Sequence, residues 1–243
     1  MRLDIIGCCG AYPGNGKPCS GYLITQNETS ILLDCGSGVL TKIYEHIDPN
    51  IINHIIITHF HADHFSDIFC MQHLSLVAMQ LGRRKEPLRI YAPADDEYFE
   101  KMKYEQASVA FEINSLNTLD IDSIHVSFLK NSHVKSAYAV KVLSGQSSLV
   151  YTSDTQWCDE LVDFARDCDV LLCESSLYNE FYNVVKGHMT AGECGLLAAK
   201  CRVGRLVLTH LPHYGDHKVL AVQAREKYNG PVILAENIRY LDI

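Results

Sequence analysis

A chain of 243 residues, 47% hydrophobic and 21% charged, has the composition of an ordinary folded protein and enough length for one large domain. Its formal net charge of −8 opposes broad electrostatic binding to nucleic acid or to an anionic membrane surface. No stretch approaches the roughly 20 apolar residues of a membrane span, and the N-terminal MRLDIIGCCGAYPG lacks the apolar core of a secretory signal.

Leu3 to Gly7 reads as a strand, and Gly10 to Ser20 as a Gly- and Pro-rich loop. Gly21 to Thr25 and Ser30 to Leu33 read as two more strands joined by the turn Gln26-Asn27-Glu28, which predicts an antiparallel start. The glycines of Asp34-Cys35-Gly36-Ser37-Gly38 allow a sharp turn into a helix from Val39 to His46. Asp34 reads either as a turn carboxylate or as the partner that orients a histidine. After Asp48-Pro49 comes the stretch Ile55 to Asp67, IIITHFHADHFSD, a short buried strand that ends in a polar cluster. Asp67 to Leu81 predicts a helix stopped at Gly82, with His73 as a residue at the core edge. The run Arg83-Arg84-Lys85 reads as basic residues complementing that helix's dipole.

Leu88 to Tyr91 predicts a strand, Ala94 to Tyr104 a charged helix, and Phe111 to Leu119 shows no period. Asp122 to Leu129, Ala137 to Leu143 and Leu149 to Thr152 predict strands, followed by a short helix over Leu161 to Ala165. Val170 to Cys173 and Leu206 to Leu208 read as strands, Thr190 to Cys201 and Lys218 to Tyr228 as helices, and Val232 to Leu234 as the last clear strand. Strands followed by helices, twice over and with no linker, predict one α/β domain over residues 1–243. The expected architecture is a four-layer αββα sandwich of two mixed β-sheets flanked by helices. Ten cysteines without a Cys-x-x-Cys pair predict small buried apolar residues, Cys8, Cys9, Cys35, Cys70 and Cys173 among them, in a reduced cytoplasm.

His59, His61, Asp63 and His64 are costly to bury without a partner, and a divalent cation is the simplest one. With period-two alternation, His59 and His61 project to one side, while Asp63 and His64 approach from the turn into a helix. Three further strand ends carry the same chemistry: His133 in FLKNSHVKS, Asp154 in LVYTSDTQW and His210 in LVLTHLPHYG. Taken singly, His133 or His210 reads equally well as a satisfied core histidine. Imidazoles and carboxylates together suit Zn²⁺, Mn²⁺ or Fe²⁺.

The HFHADH string and the order of the later ligands resemble the metallo-β-lactamase superfamily. The resemblance implies one metal at His59, His61 and His133, a second at Asp63, His64 and His210, and Asp154 bridging them. It also favours the orienting role for Asp34. Two divalent cations, zinc foremost, lower the pKa of a shared water, so hydrolysis is the expected reaction, with Asp63 taking the water's proton. Glu174 in LLCESS and His188 in KGHMTA are similar to the proton-delivery pair of the ribonuclease Z branch, which implies that Glu174 orients His188 as acid. The bland reading makes His188 a residue before a helix capped by Thr190. DCGSGVL stands where that branch has DCGEGTQ, HADH where it has HGDH, and Cys173 replaces the histidine of its His-Glu-Ala-Thr pattern. No insertion long enough for a tRNA-gripping arm is seen. The expected function is a phosphodiesterase on a small or nucleotide-like phosphodiester. The alternatives are a lactonase- or thioesterase-type acyl hydrolase, a tRNA 3′-processing endonuclease and a non-catalytic metal-binding module. Extended tRNA or membrane partners are not expected, and a homodimer is a family-level expectation.

Overall fold

Alternation along the strands decides how this chain layers itself. The computed structural model describes every residue from Met1 to Ile243. Its first half contains β1 (Arg2–Gly7), β2 (Gly21–Gln26), β3 (Thr29–Leu33), α1 (Val39–Ile43), β4 (His54–Ile56), α2 (Ala62–Phe65), α3 (Ile68–Gln80), β5 (Leu88–Ala92) and β6 (Ser108–Glu112). The second half contains β7 (Thr118–Ile121), β8 (Ile124–Lys130), β9 (Tyr138–Ser144), β10 (Ser147–Tyr151), α4 (Asp159–Phe164), β11 (Val170–Glu174), α5 (Ala191–Cys201), β12 (Arg205–Thr209), α6 (His217–Arg225), β13 (Val232–Leu234) and β14 (Tyr240–Asp242).

The strands form two seven-stranded sheets, ordered β14-β1-β2-β3-β4-β5-β6 and β13-β12-β11-β10-β9-β8-β7. Each is mixed: β1 to β3 and β7 to β10 pair antiparallel, whereas β3 to β6 and β10 to β13 pair parallel. Tyr22, Ile24, Ile31, Leu33 and Ile56 of the first sheet join Val126, Val140, Val142 and Tyr151 of the second in one buried cluster. Their alternate neighbours Leu23, Leu32, Ile55 and Ile57 face the other way, onto Val39, Ile43, Ile68 and Met71 of the outer helices. Helices α5 and α6 cover the second sheet through Cys194, Leu197, Ala198, Leu220 and Ala224. This is the expected αββα sandwich, and no helix in it is long and apolar enough to cross a membrane.

Several local expectations are corrected. Ala94 to Tyr104 is not a helix; only a 3₁₀ turn forms, over Phe99–Met102. The Asp96 carboxylate takes the Tyr98 N–H and the Lys135 ammonium, and such side-chain bonds compete with helix hydrogen bonds. Phe111 to Leu119 holds the end of β6 and the start of β7, separated by a turn in which Asn114 Oδ1 accepts from the Leu116 and Asn117 N–H groups. Both strands lie at sheet edges and are partly exposed, so no apolar alternation marks them. A further strand, β14, follows Val232–Leu234 and pairs with β1. Arg84 is no helix-end cation in water: it is buried, and its guanidinium donates to the carbonyls of Glu86, Asn50 and Ile52 and to Asn53 Oδ1. Cys70 is exposed on α3, unlike Cys8, Cys9, Cys35 and Cys173.

Candidate metal centre

Parallel strands gather their carboxyl ends on one edge, and chemistry in α/β proteins collects there. Here Asp34 follows β3, His59 follows β4, Asp154 follows β10, Glu174 ends β11 and His210 follows β12. Three of these strand ends turn through the left-handed region, at Asp34 (φ 57°), Ser153 (φ 52°) and His210 (φ 51°). Non-glycine residues rarely sit there, and they persist where the surrounding structure fixes them. The turn aims each side chain into one shared space.

The seven residues singled out for metal lie together in two groups. In the first, His59 Nε2 is 3.1 Å from His61 Nδ1 and 3.6 Å from Asp154 Oδ2, and His133 Nε2 is 3.2 Å from His61 Nδ1. In the second, Asp63 Oδ2 lies 3.0 Å from His210 Nε2 and 3.5 Å from His64 Nε2. Asp154 Oδ1 lies 3.4 Å from His210 Nε2 and 3.3 Å from His64 Nε2. Asp154 thus turns one oxygen toward each group. Four ligands about 2.0–2.1 Å from a tetrahedral cation stand roughly 3.3–3.4 Å apart, and the observed separations cluster around that value. His64 Nε2 and Asp154 Oδ1 are buried and have no hydrogen-bond partner in the protein. Asp34, Asp63 and Asp154 are buried beside one another, and no Lys or Arg pairs with them. Orphaned donors and acceptors, buried negative charge and tetrahedral spacing all fit divalent cations.

Electrostatics agree. Burial lowers the pKa values of His59, His61 and His133, leaving neutral imidazoles with free lone pairs. Burial alone would raise Asp63 and Asp154, but the imidazoles facing them hold both below the usual carboxylate range. Burial opposes charge on His64, yet Asp154 and Asp34 outweigh it and raise its pKa, so these carboxylates draw positive charge.

Neighbours fix the rings. Asp34 Oδ2 is 2.7 Å from His64 Nδ1, and Asp34 also accepts from the Thr58 N–H and hydroxyl and the Tyr151 hydroxyl. The Gly187 carbonyl is 2.9 Å from His133 Nδ1. Ser176 Oγ is 2.8 Å from His210 Nδ1. Each contact leaves Nε2 facing the cluster. Ser176 was invisible to motif reasoning, since nothing but its proximity to Glu174 marks it. Gly187 stands in the KGHMTA motif, but the motif does not show its packing on His133, where a left-handed φ of 84° and the contact leave no room for a Cβ.

Glu174 and His188 sit beside this cluster. Glu174 Oε1 is 3.2 Å from His188 Nδ1 and accepts from the Met189 N–H, while Oε2 accepts from the Ser176 N–H and hydroxyl. Burial alone would lower the His188 pKa, but the hydrogen bond and charge of Glu174 raise it to about 9. His188 Nε2 makes no hydrogen bond within the protein. The helix-capping reading of this segment also holds, because Thr190 and Glu193 form a capping box at α5. His73 lies on the exposed outer side of α3, its ring tilted against that of Tyr104 and away from the cluster.

Residues 29–211 match the sequence profile of the Beta-lactamase superfamily domain. The chain is 33% identical over 238 residues to the probable metallo-hydrolase YhfI of Bacillus subtilis, covering 98% of both chains. The crystal structure of YhfI superposes with a TM-score of 0.96 over 99% of this chain and 98% of that one. Ribonuclease Z of Protochlamydia amoebophila is 24% identical over 281 aligned positions, covering 92% of this chain and 90% of that one. A diphosphatase from the PhnP family shares the fold, with a TM-score of 0.78 at 17% identity over 100% of this chain and 97% of that one.

Proposed function

The chain belongs to the beta-lactamase superfamily and is a ribonuclease Z-like metallo-hydrolase; on that premise we propose that it is a phosphodiesterase acting on a small or nucleotide-like phosphodiester. His59, His61 and His133 would hold one divalent cation in this reading, and Asp63, His64 and His210 a second, with Asp154 able to serve either group. The donor set suits zinc, and Mn²⁺ or Fe²⁺ also fit it. Bound cations of this kind lower the pKa of water and offset negative charge growing on phosphorus.

The observation that carries the reading is the Glu174–His188 pair, with its open Nε2 beside the cluster. A phosphodiester is an anion, and an imidazolium matches it in charge. Water oxygen adds to phosphorus, and Asp63 takes the water's proton. His188 Nε2 gives a proton to the departing oxygen as the P–O bond breaks. Glu174 keeps His188 charged and aimed. The Ala11 N–H donates to Asp63 Oδ2 at 2.7 Å and so fixes that carboxylate's position.

A lactonase or thioesterase would use the same centre on an uncharged carbonyl, where a standing cation at His188 has less to meet. Precursor tRNA is a poor fit. The ribonuclease Z alignment spans 281 positions against 243 residues here, so that relative carries segments with no counterpart in this chain. A net charge of −8 also opposes a large tRNA footprint. Assay of the metal-loaded protein with bis(4-nitrophenyl) phosphate, a lactone and a precursor tRNA separates the readings. Turnover of the phosphodiester is expected, and turnover of the lactone alone would overturn the proposal.

A further inference from the structure

His188 forms part of the wall between two cavities of opposite character. One, an open cleft of about 230 Å³, is walled by Tyr12, Leu177, Val185, Pro212 and Tyr214, with His188, His210 and His213 among its polar groups and no Lys, Arg, Asp or Glu. The other, of about 520 Å³, is lined by Gln156, Trp157, Asn183 and Lys186, with Val185 and His188 again on its rim. Pockets for drug-sized ligands run to about 300–1,000 Å³, so the smaller cavity accommodates a single flat group. Its aromatic walls are held in place. Tyr12 stacks on His213 at 4.0 Å with the rings 14° apart, and His213 Nε2 bonds the Tyr12 carbonyl. Tyr214 packs against Tyr178 and Phe181, and the Tyr178 hydroxyl donates to the Tyr214 carbonyl. In the larger cavity, Lys186 forms no ion pair, and Glu193 is engaged by Thr190.

We infer that the two cavities receive the two arms of an asymmetric phosphodiester, a flat aromatic arm against Tyr12 and Tyr214 and a polar or anionic arm against Lys186 and Trp157, with the phosphate between them at His188. The inference rests on the phosphodiesterase reading and adds to it a substrate class. Stacking on Tyr12 and Tyr214 selects for a π face and does not read its edge, so the aromatic arm is recognised as a ring rather than as a particular base.

Binding to the metal-loaded protein tests this without turnover. By titration calorimetry, diphenyl phosphate is expected to bind roughly tenfold tighter than diethyl phosphate. Tyr12→Ala or Tyr214→Ala should abolish most of that preference, and Tyr12→Phe should keep it, because the ring and not the hydroxyl forms the wall. Trp157 is the chain's one tryptophan, so its emission reports on the larger cavity. A diester with one phenyl and one carboxylate-bearing arm should quench it, and Lys186→Met should weaken that diester but not diphenyl phosphate. Equal affinity of wild type, Tyr12→Ala and Tyr214→Ala for diphenyl phosphate would overturn the aromatic subsite. Equal weakening of both diesters by Lys186→Met would overturn the asymmetry. A wild type that binds no diester yet hydrolyses a lactone would instead remove the phosphodiesterase reading, and the subsites with it.

Discussion

Asp34 Oδ2 stands 2.7 Å from His64 Nδ1, both groups fully buried. That contact keeps a proton on Nδ1 of His64 and turns Nε2, which has no hydrogen-bond partner in the protein, toward the cluster. Asp34→Asn replaces the accepting carboxylate by an amide that can present N–H to the ring. Divalent-metal affinity, measured by competition with a chromogenic chelator, should fall by about 10- to 100-fold. An unchanged affinity would mean that Asp34 is merely a turn residue.

His188 carries the proposed proton delivery. Its replacement by Ala should lower the kcat for a phosphodiester by roughly 100-fold or more, while elemental analysis finds the metal content unchanged. An unaltered rate would remove the role.

The pH profile gives the sign of the same effect. In the proposed mechanism the imidazolium is the active form, so activity should be present below its pKa and lost as pH rises through it. Glu174 raises that pKa to about 9 in the protein alone, and cations bound nearby move the limb downward from there. Glu174→Gln removes the charge, so the alkaline limb should shift to lower pH than in wild type. A limb that stays in place would dissociate Glu174 from His188.

Gly187 presses on a proposed ligand. A Cβ there would lie 2.5 Å from His133 Nδ1, at a φ of 84°. Gly187→Ala should destabilise the fold by about 1–3 kcal/mol and displace the His133 ring. Thermal unfolding and metal titration would register both effects, and a variant with wild-type metal affinity would show that His133 does not need this neighbour.

Arg84 makes a separate prediction about stability. Its guanidinium is the donor for three buried or half-buried carbonyls and the Asn53 amide oxygen. Arg84→Ala should cost about 1–3 kcal/mol in denaturant unfolding, with kcat unchanged in the folded fraction. A loss within a few tenths of a kcal/mol would return Arg84 to the surface role that its sequence neighbours Arg83 and Lys85 suggest.

The two-sheet fold was legible because Ile55, Ile57 and Val170 lie in short apolar runs and because strands and helices alternate in two blocks. HFHADH was legible because four polar groups crowd one strand end within six positions. His133, Asp154 and His210 were readable by residue type at a strand end, but their convergence depends on pairing across about 150 residues of chain, from His59 to His210, which no local pattern encodes. The left-handed turn at Ser153 carries no signature, since serine is not among the residues enriched in that region, and the enrichment of histidine there does not single out His210 from the chain's other histidines. Ala94 to Tyr104 misled because its charged residues have good helix propensity, while Asp96 spends its carboxylate on the Tyr98 N–H and Lys135.

In the proposed enzyme, His59, His61, Asp63, His64, His133, Asp154 and His210 together hold two cations on which hydrolysis depends. The direct measurement is metal per chain by elemental analysis, with diesterase activity followed through chelation and reloading. Two equivalents are expected in wild type, with activity lost on chelation, restored by Zn²⁺ or Mn²⁺, and not restored in Asp154→Ala. Full activity in a chain stripped of metal would contradict the account.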